Sequence, residues 1–157
     1  MASTNNFKSN ALPTILLLGF LTGTMDGTSA ILLNWKLGAE TIFRYIASAL
    51  FGKAAFTGGP EMIVFGVLFH YCLAYLFTTI FYLAYPTCIS AVKNKYVLAV
   101  LYGSTAWVIM NLIVVPMSKI GKFPSKPSGI IINAVVLMIC FGLPVVLVAS
   151  RKLLKKI

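Results

Sequence analysis

Acid is what this chain lacks most. Of 157 residues only three are Asp or Glu, against thirteen Lys or Arg, and there is a single histidine. Charged residues are 10% of the sequence, well below the ~25% of a soluble domain. Together with a 59% hydrophobic content, this leaves no stretch from which a soluble domain could be built. One histidine excludes HExxH and multi-histidine metal sites. Three cysteines (Cys72, Cys88 and Cys140) form no CxxC or His/Cys spacing, which excludes the usual zinc and dithiol motifs. Gly103-Ser104-Thr105 does not complete a nucleophile elbow. Gly52-Lys53-Ala54 lacks both the upstream glycine and the hydroxyl residue of a phosphate loop. With the patterns of intramembrane enzymes missing, the sequence favours a non-catalytic protein, and no catalytic residue or cofactor is expected.

What fills the chain is four long apolar runs, at about 12–35, 60–85, 96–118 and 129–150. Each is long enough as a helix to cross ~30 Å of hydrocarbon with some tilt. The expectation is an all-α polytopic membrane protein, a four-transmembrane-helix bundle forming a single integral membrane domain over 1–157. Trp35-Lys36 closes the first run as an interfacial anchor. Pro60 and Glu61 open the second, where a missing N–H costs nothing and an acid complements the helix dipole. Tyr85-Pro86 is expected to close it, with Tyr82 and Tyr85 as interfacial anchors. Pro144 following Gly142 predicts a kink in the fourth run. The first run also has the look of a signal peptide, with Lys8 before Leu12–Leu21 and small residues at Thr28-Ser29-Ala30. Its length and the position of Asp26 favour a retained helix.

The basic residues lie between or beyond the runs, so the net charge of +10 reads as topology and contact with anionic lipids in the bilayer. No segment offers the solvated basic face that nucleic-acid binding requires. Lys8, Lys93, Lys95, Arg151, Lys152, Lys155 and Lys156 fall on the N-terminal side of four crossings. Lys36, Arg44, Lys53, Lys119, Lys122 and Lys126 fall on the other. The crowding at the last helix end favours both termini in the cytoplasm. Between the first two runs, residues 41–51 carry Ile42, Ile46, Ala49 and Leu50 at helical spacing, with Arg44 and Ser48 off that stripe. This is too short to span and reads as an interfacial amphipathic helix.

Two ionisable residues stand inside the runs, Asp26 and His70. Asp26 is nine residues from Trp35 and His70 nine from Glu61. At the helical rise both sit roughly 13.5 Å below the same face. A charge there costs at least ~2.5–3.5 kcal/mol on insertion scales, so it is retained for a reason. Gly19, Gly23 and Gly27 form a groove for a closely packed helix, either within the bundle or in a homo-oligomer. Asp26 lies on that face, about 20° from Gly19 and about 60° from Gly23 on a helical wheel. Thr22, one turn before Asp26, is placed to hydrogen-bond with it. Asn111 in the third run is a candidate to extend the polar cluster, and a helix–helix hydrogen bond is its structural counterpart. Arg44, Lys53 and Glu61 are candidates for a polar mouth above the pair or for a lipid headgroup site. If Asp26 and His70 meet, they can carry protons, bind a cation or hold helices together.

Several stretches, GTMDGTSA at 23–30, RYIASALFGKAAFTGG at 44–59, FGVLFHY at 65–71, AYP at 84–86 and LYGSTAWVIMNLIVVPMSK at 101–119, resemble a family of small bacterial inner-membrane proteins called YagU-like. They cover roughly half the chain. The resemblance implies a four-helix protein of the bacterial inner membrane with a retained first helix, and it brings no biochemical activity with it. Two functions are therefore expected from the residues. The first is a transport or channel-type role for protons or a small solute at Asp26 and His70. The second is an accessory membrane subunit packed through the Gly19/Gly23/Gly27 face.

Overall fold

The computed structural model describes residues 11–121 and 127–154. Lys8, Lys122, Lys126, Lys155 and Lys156, which entered the charge count, lie outside them. The described chain is all-α. Four of its helices are long and apolar enough to cross a membrane: α1 (Ala11–Leu33), α4 (Glu61–Val92), α5 (Lys95–Met117) and α6 (Pro127–Lys152). Between α1 and α4 lie a 3-10 turn (Trp35–Leu37), α2 (Gly38–Phe51) and the single-turn α3 (Ala54–Thr57). The outer surfaces of the long helices are apolar. Leu17 is 72%, Leu68 60% and Ile131 64% exposed, a distribution suited to acyl chains rather than water. The protein is thus a multi-pass membrane protein built as a helical bundle.

The bundle closes around aromatic packing between α4, α5 and α6. Phe81 stacks on Tyr102 with ring centroids 4.7 Å apart, and Phe77 and Phe81 each meet the edge or face of Phe141 at about 6 Å. Leu98, Val145, Val146 and Ala149 complete this core, with Ile15 and Leu18 added by α1. Tyr82 and Tyr85, expected as interfacial anchors, belong to this core and are 1% and 2% exposed. The reason is that α4 does not stop at Pro86. It runs 32 residues to Val92, about 48 Å at the helical rise, which exceeds the hydrocarbon thickness and carries its ends into the headgroup zones. Pro86 removes one N–H without breaking the helix. The expected loop at 87–95 shrinks to a two-residue turn. Lys93 adopts the left-handed conformation with φ of 59°, and its N–H closes the helix on Ile89. Asn94 caps α5 by accepting from the backbone N–H groups of Tyr96 and Val97.

The kink expected in the fourth run takes the form of a wide turn. Residues Met138–Gly142 are π-helical immediately before Pro144, and the same occurs at Ile109–Val114 before Pro116. A proline ring collides with the carbonyl four residues earlier and offers that carbonyl no hydrogen. Widening the preceding turn relieves both problems, since the i→i+5 pattern retargets the bonds. The N–H of Val115 reaches Met110 and that of Leu143 reaches Met138.

Glycines set the closest crossings. A Cβ at Gly19 or Gly23 would strike the rings of Tyr75 or Tyr71 on α4, and one at Gly27 would press on His70. The glycine groove is therefore filled by the chain's own second span. Gly66 lies against the backbone of Phe43 in α2, Gly103 against Met138, and Gly142 against the Ala99 carbonyl. The first of these contacts corrects the expected face of α2. Its most buried residues are Ala47 and Ser48, while Leu50 is 49% exposed. Small side chains occupy the closest approach of α2 to α4, while Tyr45 and Leu50 turn outward. α2 is also tied to the end of α5, where the Lys119 N–H donates to the Ala49 carbonyl at 3.0 Å.

Candidate functional site

A cavity of about 210 Å³ lies where all four spans and α2 converge. Asp26, Thr22 and Ala30 line it from α1, Ile46 from α2, and His70, Leu73, Ala74 and Phe77 from α4. α5 and α6 contribute Ala106 and Met110, and Leu137 and Phe141. Met110 and Phe141 sit on the two wide turns, so the prolines that force those turns also shape the wall. The wall is apolar apart from Asp26, His70 and the hydroxyl of Thr22.

Asp26 and His70 thus face one space, yet they are not joined. Among the described residues the one ion pair is Arg44–Glu40, at 2.9 Å. His70 instead donates from Nε2 to the Gly23 carbonyl at 2.8 Å. That bond crosses the glycine groove, where the missing side chains let an imidazole reach a span-one carbonyl. It leaves Nδ1 as the ring nitrogen that can take up a proton. Edge contacts from Phe43 and Tyr71 fix the ring plane. The Asp26 carboxylate accepts no hydrogen bond from another described side chain or backbone N–H. It is half-buried in an apolar cavity, and His70 acts on it through charge without a hydrogen bond.

Thr22 is fully buried. Its hydroxyl lies 3.1 Å from Thr78 on α4 and 3.3 Å from the Gly19 carbonyl. It borders the cavity but serves as a helix–helix bond rather than as the expected partner of Asp26. Asn111 does not reach the site. Its amide donates to Trp107 of its own helix at 3.1 Å, the carbonyl that the backbone N–H of position 111 would use in an α-helix.

The expected mouth does not assemble either. Arg44 donates from Nε to Glu40, and from Nη1 to the carbonyls of Ala55 and Gly58 at 3.0 and 2.7 Å. Its guanidinium is spent on holding α3 against α2. Glu61 accepts the Gly59 N–H at 2.8 Å and so caps its own helix start. Lys53 is exposed, and none of the three lines the cavity.

His70 has a second neighbourhood. A second hollow of about 200 Å³ is lined by His70 together with Gly23, Thr24, Gly27, Thr28, Ile31, Phe43 and Tyr71. Tyr71 and Thr24 are hydrogen-bonded there at 2.8 Å, and Thr24 and Thr28 are exposed. His70 is common to the linings of the two spaces.

Two wall residues, Phe141 and Met110, were not singled out by sequence reasoning. Pro116 and Pro144 were the available signal, because each fixes where a helix must widen. Comparison of the chain with family models, curated proteins and solved structures finds no match.

Proposed function

We propose that this protein conducts or transports protons or a small solute through the cavity bounded by Asp26 and His70. The observation that carries the reading is the convergence of the two intramembrane ionisable residues on one cavity lined by all four spans. A carboxylate at this depth costs several kcal/mol, and this one is held by no hydrogen bond among the described residues, which supports a functional use. His70 lines both this cavity and a second hollow, which supports a part for it in moving a proton or solute. One copy of the chain supplies the whole cavity, so homo-oligomerisation is not needed to complete it.

The setting that goes with this reading is the bacterial inner membrane, both termini cytoplasmic, with anionic lipids around the basic ends. The resemblance of the stretches at 23–30, 44–59, 65–71, 84–86 and 101–119 to YagU-like proteins supports it. The alternative, an accessory subunit docked through Gly19, Gly23 and Gly27, has to use another face. Tyr75, Tyr71 and His70 of the same chain occupy that groove.

The test is proton and cation flux into proteoliposomes, comparing the native chain with Asp26→Asn and His70→Ala at matched folded yield. The reading expects flux in the native protein that both variants lose. Absence of flux in all three, with both variants less stable than the native chain, replaces it with the structural role.

A further inference from the structure

We infer that the solute of the Asp26 cavity is a small organic ammonium ion, one cationic nitrogen on an apolar body. The inference rests on the conducting or transporting role proposed above and narrows its substrate class.

The cavity wall selects by charge, by coordination and by size. Asp26 is its one acid, no Lys or Arg lines it, and the one basic group acting on the carboxylate is the His70 imidazole, while the Arg44 guanidinium is bound to Glu40 and to two carbonyls. An anion would have to sit beside that carboxylate, with only His70 to attract it. A neutral solute would leave the carboxylate with His70 alone. Among cations, bare metal ions need a shell of oxygen ligands, six or more for the common divalent ones. Here the oxygens are the two of Asp26 and the hydroxyl of Thr22, which Thr78 and Gly19 already engage. The remaining wall is Leu73, Ala74, Phe77, Met110, Leu137 and Phe141.

Such a wall rewards a cation that brings its own apolar surface. Burial of a hydrocarbon body favours the bound state, and Phe77 and Phe141 supply ring surface of the kind that attracts ammonium groups. The thioether of Met110 adapts to irregular shapes. The volume, about 210 Å³, is below the ~300–1,000 Å³ typical of drug-sized ligands. The body is therefore about the size of a single aromatic ring with a short chain.

The probe is phenethylammonium, set against 2-phenylethanol as its neutral counterpart of the same shape, and against sodium and potassium chloride. Binding is read by thermal stabilisation and titration calorimetry of the full-length protein in detergent. Partition of each probe into protein-free micelles is measured and subtracted, so that the remaining difference reports the site. The ammonium should bind the native chain at least about tenfold more tightly than the alcohol, with no competition from sodium or potassium. In Asp26→Asn it should fall to the level of the alcohol, whose own binding stays unchanged. Equal binding of the two probes, an ammonium preference that survives Asp26→Asn, or displacement by alkali ions overturns the inference.

A second readout needs no variant. Modification of Asp26 by a hydrophobic carbodiimide, followed by mass spectrometry, should be slowed by the ammonium and not by the alcohol. Equal slowing refutes the assignment. Proton flux in proteoliposomes without ammonium binding removes the ammonium and keeps the conducting role. Ammonium binding that Asp26→Asn abolishes, without any flux, keeps the site and removes conduction.

Discussion

Substituting Gly66 by alanine separates two kinds of close contact in this bundle. An added methyl at 66 would run into the backbone of Phe43, carbonyl included, in α2. Backbone cannot rotate away as a side chain can, so α2 has to shift bodily from α4. That shift loosens the burial of Ala47 and Ser48 and strains the Lys119–Ala49 bond. Overpacking of this kind costs about 1–3 kcal/mol, while replacing a mid-helix glycine by alanine returns about 0.5–1 kcal/mol. The net expectation is a loss of about 1–2 kcal/mol. At roughly 2–4 °C per kcal/mol for a chain of this size, the drop in Tm is resolvable by circular dichroism in detergent. Gly27→Ala is the matched control, because its methyl would meet only His70 Nε2, at 3.1 Å, and the next atom at 3.6 Å. A displacement of a few tenths of an ångström accommodates it, and the helix-propensity gain brings the net near zero. Equal Tm for Gly66→Ala and the native chain, or a larger loss at Gly27→Ala, would refute the reasoning that the backbone crossing of α2 and α4 limits the packing.

Three further substitutions probe other links. Asp26→Leu should stabilise the fold by up to the ~2.5–3.5 kcal/mol that an intramembrane carboxylate costs, seen as a raised Tm, while abolishing any Asp26-dependent flux; a lowered Tm shows that the carboxylate holds the bundle together. Thr22→Val should lose about 0.6 kcal/mol, and at most about 1.7, for the interhelical hydroxyl pair with Thr78; the double variant with Thr78→Val should recover much of that loss in a mutant cycle, and strict additivity would mean the two hydroxyls do not interact. Lys93→Gly should stabilise by about 1 kcal/mol, since a lysine held at φ of 59° bears a left-handed penalty of about 1–2 kcal/mol that glycine does not; chemical denaturation in mixed micelles gives the sign, and an unchanged midpoint contradicts it.

What the sequence shows well is depth and face, because both follow from the helical rise and the turn angle alone. Four apolar runs become four spans, and the stripe Gly19, Gly23, Gly27 becomes the closest helix crossing of α1. Equal depth likewise placed Asp26 and His70 at one level, and they line one cavity. Proline was harder to interpret. Pro86, Pro116 and Pro144 are local signals of a helix break, but long helices in apolar surroundings keep every bond they can. Pro86 is simply absorbed, and the other two are accommodated by π turns. The ending assigned at 85 then displaced Tyr82 and Tyr85 from the core to the interface.

Bonding partners were beyond reach for a different reason. Periodicity says that Thr22 and Asp26 share a face. It does not say that Thr78 will arrive across the interface within 3.1 Å, a matter of rotation and tilt set by the whole bundle. Arg44 is the sharper instance. Its charge suggested a mouth or a headgroup site, yet Gly58 and Ala55 offer carbonyls at a helix end that nothing local can satisfy. A guanidinium answers two such carbonyls and a neighbouring carboxylate at once. An unsatisfied backbone near a membrane outbids a ligand for a nearby arginine. Asp26 meets no such local demand: what acts on it is His70 of α4, across the cavity, a pairing that depends on how α1 packs against α4 and not on any pattern within α1.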